Sequence, residues 1–277
     1  MPAQRPRLAA TVILARPASP PASGLEIYMT RRSARSAFAP DAFVFPGGTV
    51  DERFDRTPAI TARTLGLESA RVRRDFQRAR VPAELPSGEP PADSAEAAGV
   101  LIAALRELFE EAGILIARTR AGSPVEADRV HEDGAHAQRA LLQNGRLAFA
   151  DFLQERDWFA DAGALTFFSH WITPPSEPRR YNTHFFFAPA PREQAGRADA
   201  FETHDGIWIT PRDALVRHRR GDFHLVYPTI KHLERLTSFD SVDAALAFAR
   251  AKPILTIMPG TSPDEGFVMP TALENAW

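Results

Sequence analysis

An α+β fold, a mixed sheet layered with helices, is the class this sequence predicts, on three observations. Strand-like and helix-like segments alternate without the regular β-α-β rhythm of a doubly wound sheet. The chain opens on two apolar, strand-like runs, Leu8–Leu14 and Leu25–Thr30, joined by the turn-rich loop Pro17–Gly24. A capped helix then runs to Ala112, with Asp93 as N-cap, Glu96 at the capping-box spacing and Gly113 at the C′ position.

The elements follow in order. Leu8–Leu14 reads as a buried strand and the alternating Leu25–Thr30 as its hairpin partner. Arg31–Asp41 is a basic loop, and Ala42–Phe45 a short strand stopped by Pro46-Gly47-Gly48. Thr57–Arg80 is Arg-rich and expected to be helical, and Val81–Pro91 holds four prolines and reads as a loop. His131–Ala162 is expected to be mostly helical and polar. Strands are expected over Thr166–Thr173, His184–Ala188, Ile207–Ile209 and Ile254–Met258. Thr210 caps a helix with Pro211 at its first position and Gly221 at its end, and Tyr227–Leu236 and Val242–Ala251 read as two more helices.

Composition narrows the chemistry. With no cysteine, thiolate zinc sites, disulfides and a cysteine nucleophile are excluded. A net charge of −2 gives no general attraction to nucleic acid or to an anionic membrane. No apolar run is long enough to span a bilayer, and Met1–Leu8 lacks the apolar core of a signal peptide, so the expected setting is cytoplasmic.

Arg106-Glu107-Leu108-Phe109-Glu110-Glu111-Ala112-Gly113-Ile114 is the stretch that carries chemistry. On a helical wheel Leu101, Ile102, Leu105, Leu108, Phe109 and Ala112 form an apolar arc, with Glu107, Glu110 and Glu111 opposite. Like charges at i,i+3 and i,i+4 cost about 0.2–0.5 kcal/mol per pair, and the helix dipole disfavours anions in its last turn. A divalent cation reverses both effects, and oxygen-only ligands suit Mg²⁺ or Mn²⁺. The plainer alternative is a solvated acidic face.

This string resembles the second half of the Nudix box, G-x5-E-x7-R-E-U-x-E-E-x-G-U with U apolar, and Phe45-Pro46-Gly47-Gly48 resembles the strand entering it. The resemblance implies the Nudix αβα sandwich, with a mixed central sheet and helical insertions in a single domain over 1–277. It also implies hydrolysis of a nucleoside diphosphate linked to another group. An unbroken box spans 23 residues, whereas Gly48 to Ile114 spans 67, which implies an insertion at about 52–91. A second helical insertion is expected at about 126–162. Either could cap the site or form an oligomer contact, such as that of a homodimer. The mid-box Glu falls on Ala98, and the nearby Asp51, Glu52 and Glu96 are out of register.

The interrupted box is similar to a Nudix subgroup that includes mitochondrial and peroxisomal coenzyme A diphosphatases. Arg32-Ser33-Ala34-Arg35, Phe38-Ala39-Pro40, Trp171-Ile172-Thr173-Pro174, Tyr181–Phe186 and Trp208 with Pro211 and Ala214-Leu215 carry that similarity. Their coenzyme A signature is half met: Thr30, Arg32, Ser33 and Phe45–Gly48 align, while Ala37 and Asp41 replace an Arg and a Gly. The resemblance implies Mg²⁺ or Mn²⁺ on Glu107, Glu110, Glu111 and the Gly47 carbonyl, with Arg106 orienting catalytic Glu107 by an ion pair. Glu202, six residues before Trp208, is the expected fourth acid and Asp205 its competitor. Arg32, Arg35 and Arg180 are candidates for the substrate phosphates, against the reading of solvated loop arginines. The expected partner is a small nucleotide, coenzyme A or acyl-coenzyme A. ADP-ribose or dinucleotide hydrolysis and a non-catalytic nucleotide sensor are the alternatives.

His184, His204, His218 and His224 show no metal-ligand spacing, and Ser169-His170 lacks the partners of a nucleophile.

Overall fold

The computed structural model describes residues 5–20, 22–34, 39–67, 70–77, 79–80, 94–131, 135–194, 196, 203–262, 264, 266–274 and 277. The strands are β1 (Arg7–Pro17), β2 (Leu25–Arg32), β3 (Phe43–Val44), β4 (Gly47–Thr49), β5 (Thr64–Leu65), β6 (Ala79–Arg80), β7 (Ala117–Thr119), β8 (Trp158–Asp161), β9 (Thr166–Ile172), β10 (Tyr181–Pro189), β11 (Thr203–Ile209), β12 (Ile254–Ile257), β13 (Gly260–Ser262) and β14 (Gly266–Val268). The helices are α1 (Glu52–Asp55), α2 (Pro58–Ala62), α3 (Ala70–Gln77), α4 (Ser94–Ala112), α5 (Ala127–His131), α6 (Ala135–Gln143), α7 (Phe149–Glu155), α8 (Pro211–Arg220), α9 (Tyr227–Leu236) and α10 (Val242–Ala251).

Among the described residues the main sheet has the order β11-β2-β1-β10-β9-β12-β6, with β3 joined to β2 and β4 to β1. It is mixed: β1 runs parallel to β10, while β9 and β10 are antiparallel. Side chains alternate across it. Ala10, Val12 and Leu14 of β1 and Phe186 of β10 face α4. Ile13 and Ala15 of β1, with Phe185 and Phe187 of β10, face the layer of α8, α9 and α10. Helices on both faces of a mixed sheet make the αβα sandwich. No helix among the described residues is long and apolar enough to cross a membrane.

A fork in the sheet positions the Gly47–Thr49 segment. β1 pairs with β2 only over Ala15–Pro17 and then diverges from it. The segment Phe43–Thr49 fills the fork, pairing first with β2 and then with β1. It changes partner at Pro46, which has no N–H to satisfy and whose carbonyl accepts from Val12 N–H at 2.9 Å.

Several expectations hold to the residue. Helix α8 is capped by Thr210, whose side chain accepts from Asp213 N–H, and ends at Gly221 with φ of 84°. Gly113, at φ of 66°, ends α4. Others need correction. Thr57–Arg80 is not one helix: Thr57 caps the short α2, strand β5 follows, and Gly66 turns the chain at φ of 83°. His131–Ala162 contains strand β8, and it is not mainly polar, because Phe149, Phe152, Leu153 and Trp158 are buried. The tail after β12 forms the hairpin β13–β14. Asp93 and the proline-rich 81–91 loop lie outside the described residues.

The two predicted insertions supply core. Ile60, Val72 and Phe76 from the first, and Phe149, Phe152 and Trp158 from the second, join the same apolar cluster as α4. Strand β6 of the first pairs with β12 at the edge of the main sheet. Consequently the outer arc of α4 is covered: Arg106, Glu110 and Glu111 are 7%, 8% and 4% exposed. A solvated acidic face is ruled out.

Candidate active site

The fork in the sheet and the end of α4 meet at the two glycines. A Cβ on Gly47 would lie 2.3 Å from the Ala10 carbonyl oxygen, and one on Gly48 would lie 2.3 Å from Glu107 Oε1. Glycine is required at position 47, where backbone leaves no space, whereas a side chain at position 48 would displace the Glu107 carboxylate. Gly47 N–H donates to Glu111 Oε2 at 2.9 Å, tying the strand to the helix.

Arg106 organises the buried charge. Its Nε and Nη2 donate to Asp55 Oδ1 and Oδ2 at 2.7 and 2.9 Å, a bidentate pair. Its Nη1 lies 3.0 Å from Glu107 and 2.9 Å from Glu110. Nη2 also reaches the Thr49 carbonyl at 3.3 Å. The predicted Arg106–Glu107 pair is therefore one arm of a larger cluster. Asp55 was missed by sequence reasoning, and its own anchor is local, since its Oδ2 accepts from Asp51 N–H at 2.8 Å.

Glu110, expected as a metal ligand, has its carboxylate 2.9 Å from Arg106 Nη1 and is not among the residues lining the cleft. Burial pushes its carboxyl up to about 8, with Glu107 and Asp55 adding to the rise and Arg106 opposing it. Its main-chain carbonyl accepts from Arg139 Nε at 2.9 Å and from Gln143 Nε2, so α6 secures the end of α4.

Glu107 and Glu111, one helical turn apart, line a cleft of about 700 Å³. Its floor carries Ala9, Thr11, Thr183 and Phe185 from the central strands, with Arg7 and Arg32 at its edge. Arg7, which the sequence reading passed over, donates to Thr49 Oγ1 at 3.2 Å. Glu177, on the β9–β10 loop, is a further acid in the wall. Arg180, expected at the substrate phosphates, donates from Nε to the Thr173 carbonyl at 3.0 Å and is not among the residues lining the cleft. Arg35 and Glu202 lie outside the described residues, as does the side chain of Asp205.

The donors suit a hard cation. Asp55, Glu107 and Glu110 share the single buried guanidinium of Arg106, and Glu111 is buried in the same helix as the two glutamates, a surplus of acidic groups in a poorly solvated place. Among the described residues no three acidic or histidine side chains form a ready cage. Two carboxylates facing a cleft, with the rest of the coordination left to backbone carbonyl, water and substrate oxygens, is how Mg²⁺ is commonly held.

The Nudix-domain model of NUDT19 matches residues 6–236. The chain belongs to the NUDT19 Nudix-domain family. Within that family it is 31% identical, over 79% of its length, to the acyl-coenzyme A diphosphatase NUDT19 of chicken, Gallus gallus. It is 28% identical, over 80% of its length, to the human protein of the same name. The chain spans about three-fifths of these relatives, 62% and 63% of their lengths. Among solved structures, a Nudix hydrolase from Alicyclobacillus acidocaldarius superposes with a TM-score of 0.63 at 26% identity, covering 88% of this chain and 96% of that one. The Nudix αβα fold expected from Arg106–Ile114 is thus the fold observed.

Proposed function

We propose that the chain is a metal-dependent hydrolase of nucleoside diphosphates joined to another group, and that coenzyme A or acyl-coenzyme A is the substrate. Water adds to one phosphorus, the bridging P–O bond breaks, and the products are 3′,5′-ADP and (acyl-)4′-phosphopantetheine. The observation that carries this reading is the pair Glu107 and Glu111, facing the cleft across Gly47 and Gly48. The names of the chicken and human relatives support the substrate.

Glu107, Glu111 and the Gly47 carbonyl would hold Mg²⁺ or Mn²⁺, which when bound neutralises phosphate charge and makes water more acidic. Arg106, fixed by Asp55, holds Glu107 in place. Arg7 and Arg32 would meet the phosphates at the cleft edge.

Turnover of coenzyme A, acyl-coenzyme A, ADP-ribose, NADH and a dinucleoside polyphosphate, with Mg²⁺ or Mn²⁺ and after chelation, tests the proposal. Metal-dependent release of 3′,5′-ADP from coenzyme A compounds is expected. A preference for ADP-ribose or dinucleotides would replace the substrate, and no turnover of any would favour a sensor. Glu111→Gln keeps an acceptor for Gly47 N–H, so it is expected to fold and yet lose at least about 10²-fold in kcat, of the order of other losses of charge stabilisation.

A further inference from the structure

The cleft extends beyond the glutamates to a wall of a different character. Trp171 at the end of β9, Tyr227 at the start of α9 and Phe267 on β14 make a continuous aromatic run. Ring centroids are 6.4 Å apart for Trp171–Tyr227 and 5.9 Å for Tyr227–Phe267. Pro228 and Pro259 complete this wall.

Phe267 is there because of the hairpin β13–β14, which among the described residues shares no strand pairing with the main sheet. A two-stranded hairpin is marginal in water unless it packs on something. Here Phe267 packs on Tyr227 and still lines the cleft. The hairpin also lies beyond the part of the chain matched by the Nudix-domain model, which ends at residue 236.

One cleft is therefore lined by polar groups, Arg7, Gly47, Gly48, Glu107 and Glu111 among them, and by the aromatic run. That combination fits a ligand with a diphosphate at one end and a hydrocarbon at the other. The rings are set at 72° and 43° to their neighbours, so they offer no pair of parallel faces for a planar base. An alkyl chain has no such requirement, because its burial is non-directional.

We infer that Trp171, Tyr227 and Phe267 form the subsite for the acyl chain of acyl-coenzyme A, with Phe267 of the C-terminal hairpin setting the preference for chain length. The inference rests on the hydrolase reading above for its substrate, and on the cleft geometry for its place.

The test uses the full chain with Mg²⁺, measuring kcat/KM for coenzyme A and its butanoyl, octanoyl and dodecanoyl thioesters. Phe267→Ala is expected to lower the dodecanoyl-to-coenzyme A ratio roughly tenfold, about the worth of two buried CH₂ groups. Phe267→Leu, which keeps an apolar side chain, is expected to recover most of that ratio. Taking the ratio removes any loss common to both substrates, including partial misfolding. An unchanged ratio, or an equal loss on all four compounds as an adenine contact would give, overturns the subsite. Equilibrium binding of the same series to chelated protein, followed by tryptophan fluorescence, reads the subsite without turnover. Chain-length-dependent binding with no hydrolysis would refute the hydrolase and keep the subsite, whereas hydrolysis with no chain-length dependence would do the reverse.

Discussion

At the scale of single residues, Arg106 and Asp55 decide the geometry. Asp55 is buried and gives both carboxylate oxygens to the guanidinium, which in turn holds Glu107. Arg106 keeps Glu107 and Glu110 when Asp55 is neutralised, so no buried charge is left alone. Asp55→Asn keeps one acceptor oxygen but turns an N–H₂ toward Arg106, leaving buried donors unsatisfied, so a loss of about 1–3 kcal/mol is expected in urea unfolding. The same variant is expected to lower kcat more than it raises KM, since Asp55 acts on Glu107 and does not line the cleft. An unaltered kcat in folded Asp55→Asn would remove it from the positioning of Glu107.

At the scale of elements, the site depends on a strand that changes partner. The fork between β1 and β2 admits Gly47–Thr49, and α4 lies directly over it. The two glycines predict different failures. A methyl at Gly47 meets main-chain atoms of Ala10 and Thr11, which cannot move without opening the sheet. A methyl at Gly48 meets the Glu107 carboxylate, the end of a side chain that can swing away. Gly47→Ala is expected to lower the melting temperature by several degrees, the equivalent of about 1–3 kcal/mol. Gly48→Ala is expected to melt nearly as the parent does while turnover drops at least about tenfold. Calorimetry and kinetics on the two proteins separate these outcomes, and a reversed pattern would contradict the packing described.

At the scale of the whole molecule, buried histidines tie the layers together. His232 of α9 bonds Ser169 of β9 at 2.6 Å through Nε2 and the Pro228 carbonyl at 2.6 Å through Nδ1. Since a carbonyl only accepts, Nδ1 carries the proton and Nε2 accepts from the hydroxyl. Burial lowers His232 to about 3 and His170 to about 4, and holds His184 well below its usual value. Above pH 6.5 folded and unfolded chains carry the same neutral imidazoles. Below it the unfolded chain binds protons that the folded one refuses, so stability falls as pH drops from about 6.5 toward 4. Each histidine contributes a slope approaching about 1.4 kcal/mol per pH unit. Urea midpoints measured from pH 7 to pH 5 should show that decline net of Glu110, whose raised carboxyl acts in the opposite direction by about one proton, and His232→Gln should make it shallower by about one proton. An identical slope in that variant would mean His232 is not held neutral.

The sequence alone determined whatever depends on local spacing. Thr210 with Pro211 and Gly221 marked the ends of α8, apolar runs marked the central strands, and Arg106–Ile114 marked the family, because caps, apolar runs and a nine-residue motif are read over neighbouring residues. Tertiary structure alone decided which carboxylates face the cleft. Glu107, Glu110 and Glu111 are equivalent on a helical wheel. What separates them is Asp55, about 50 residues away, drawing Arg106 into place, and Gly47, 64 residues away, taking Glu111. Phe267 reaches the cleft in the same manner, through a fold that brings distant segments to one wall. Contacts between residues so far apart leave no periodic trace in the chain, so their consequences appear only once it has folded.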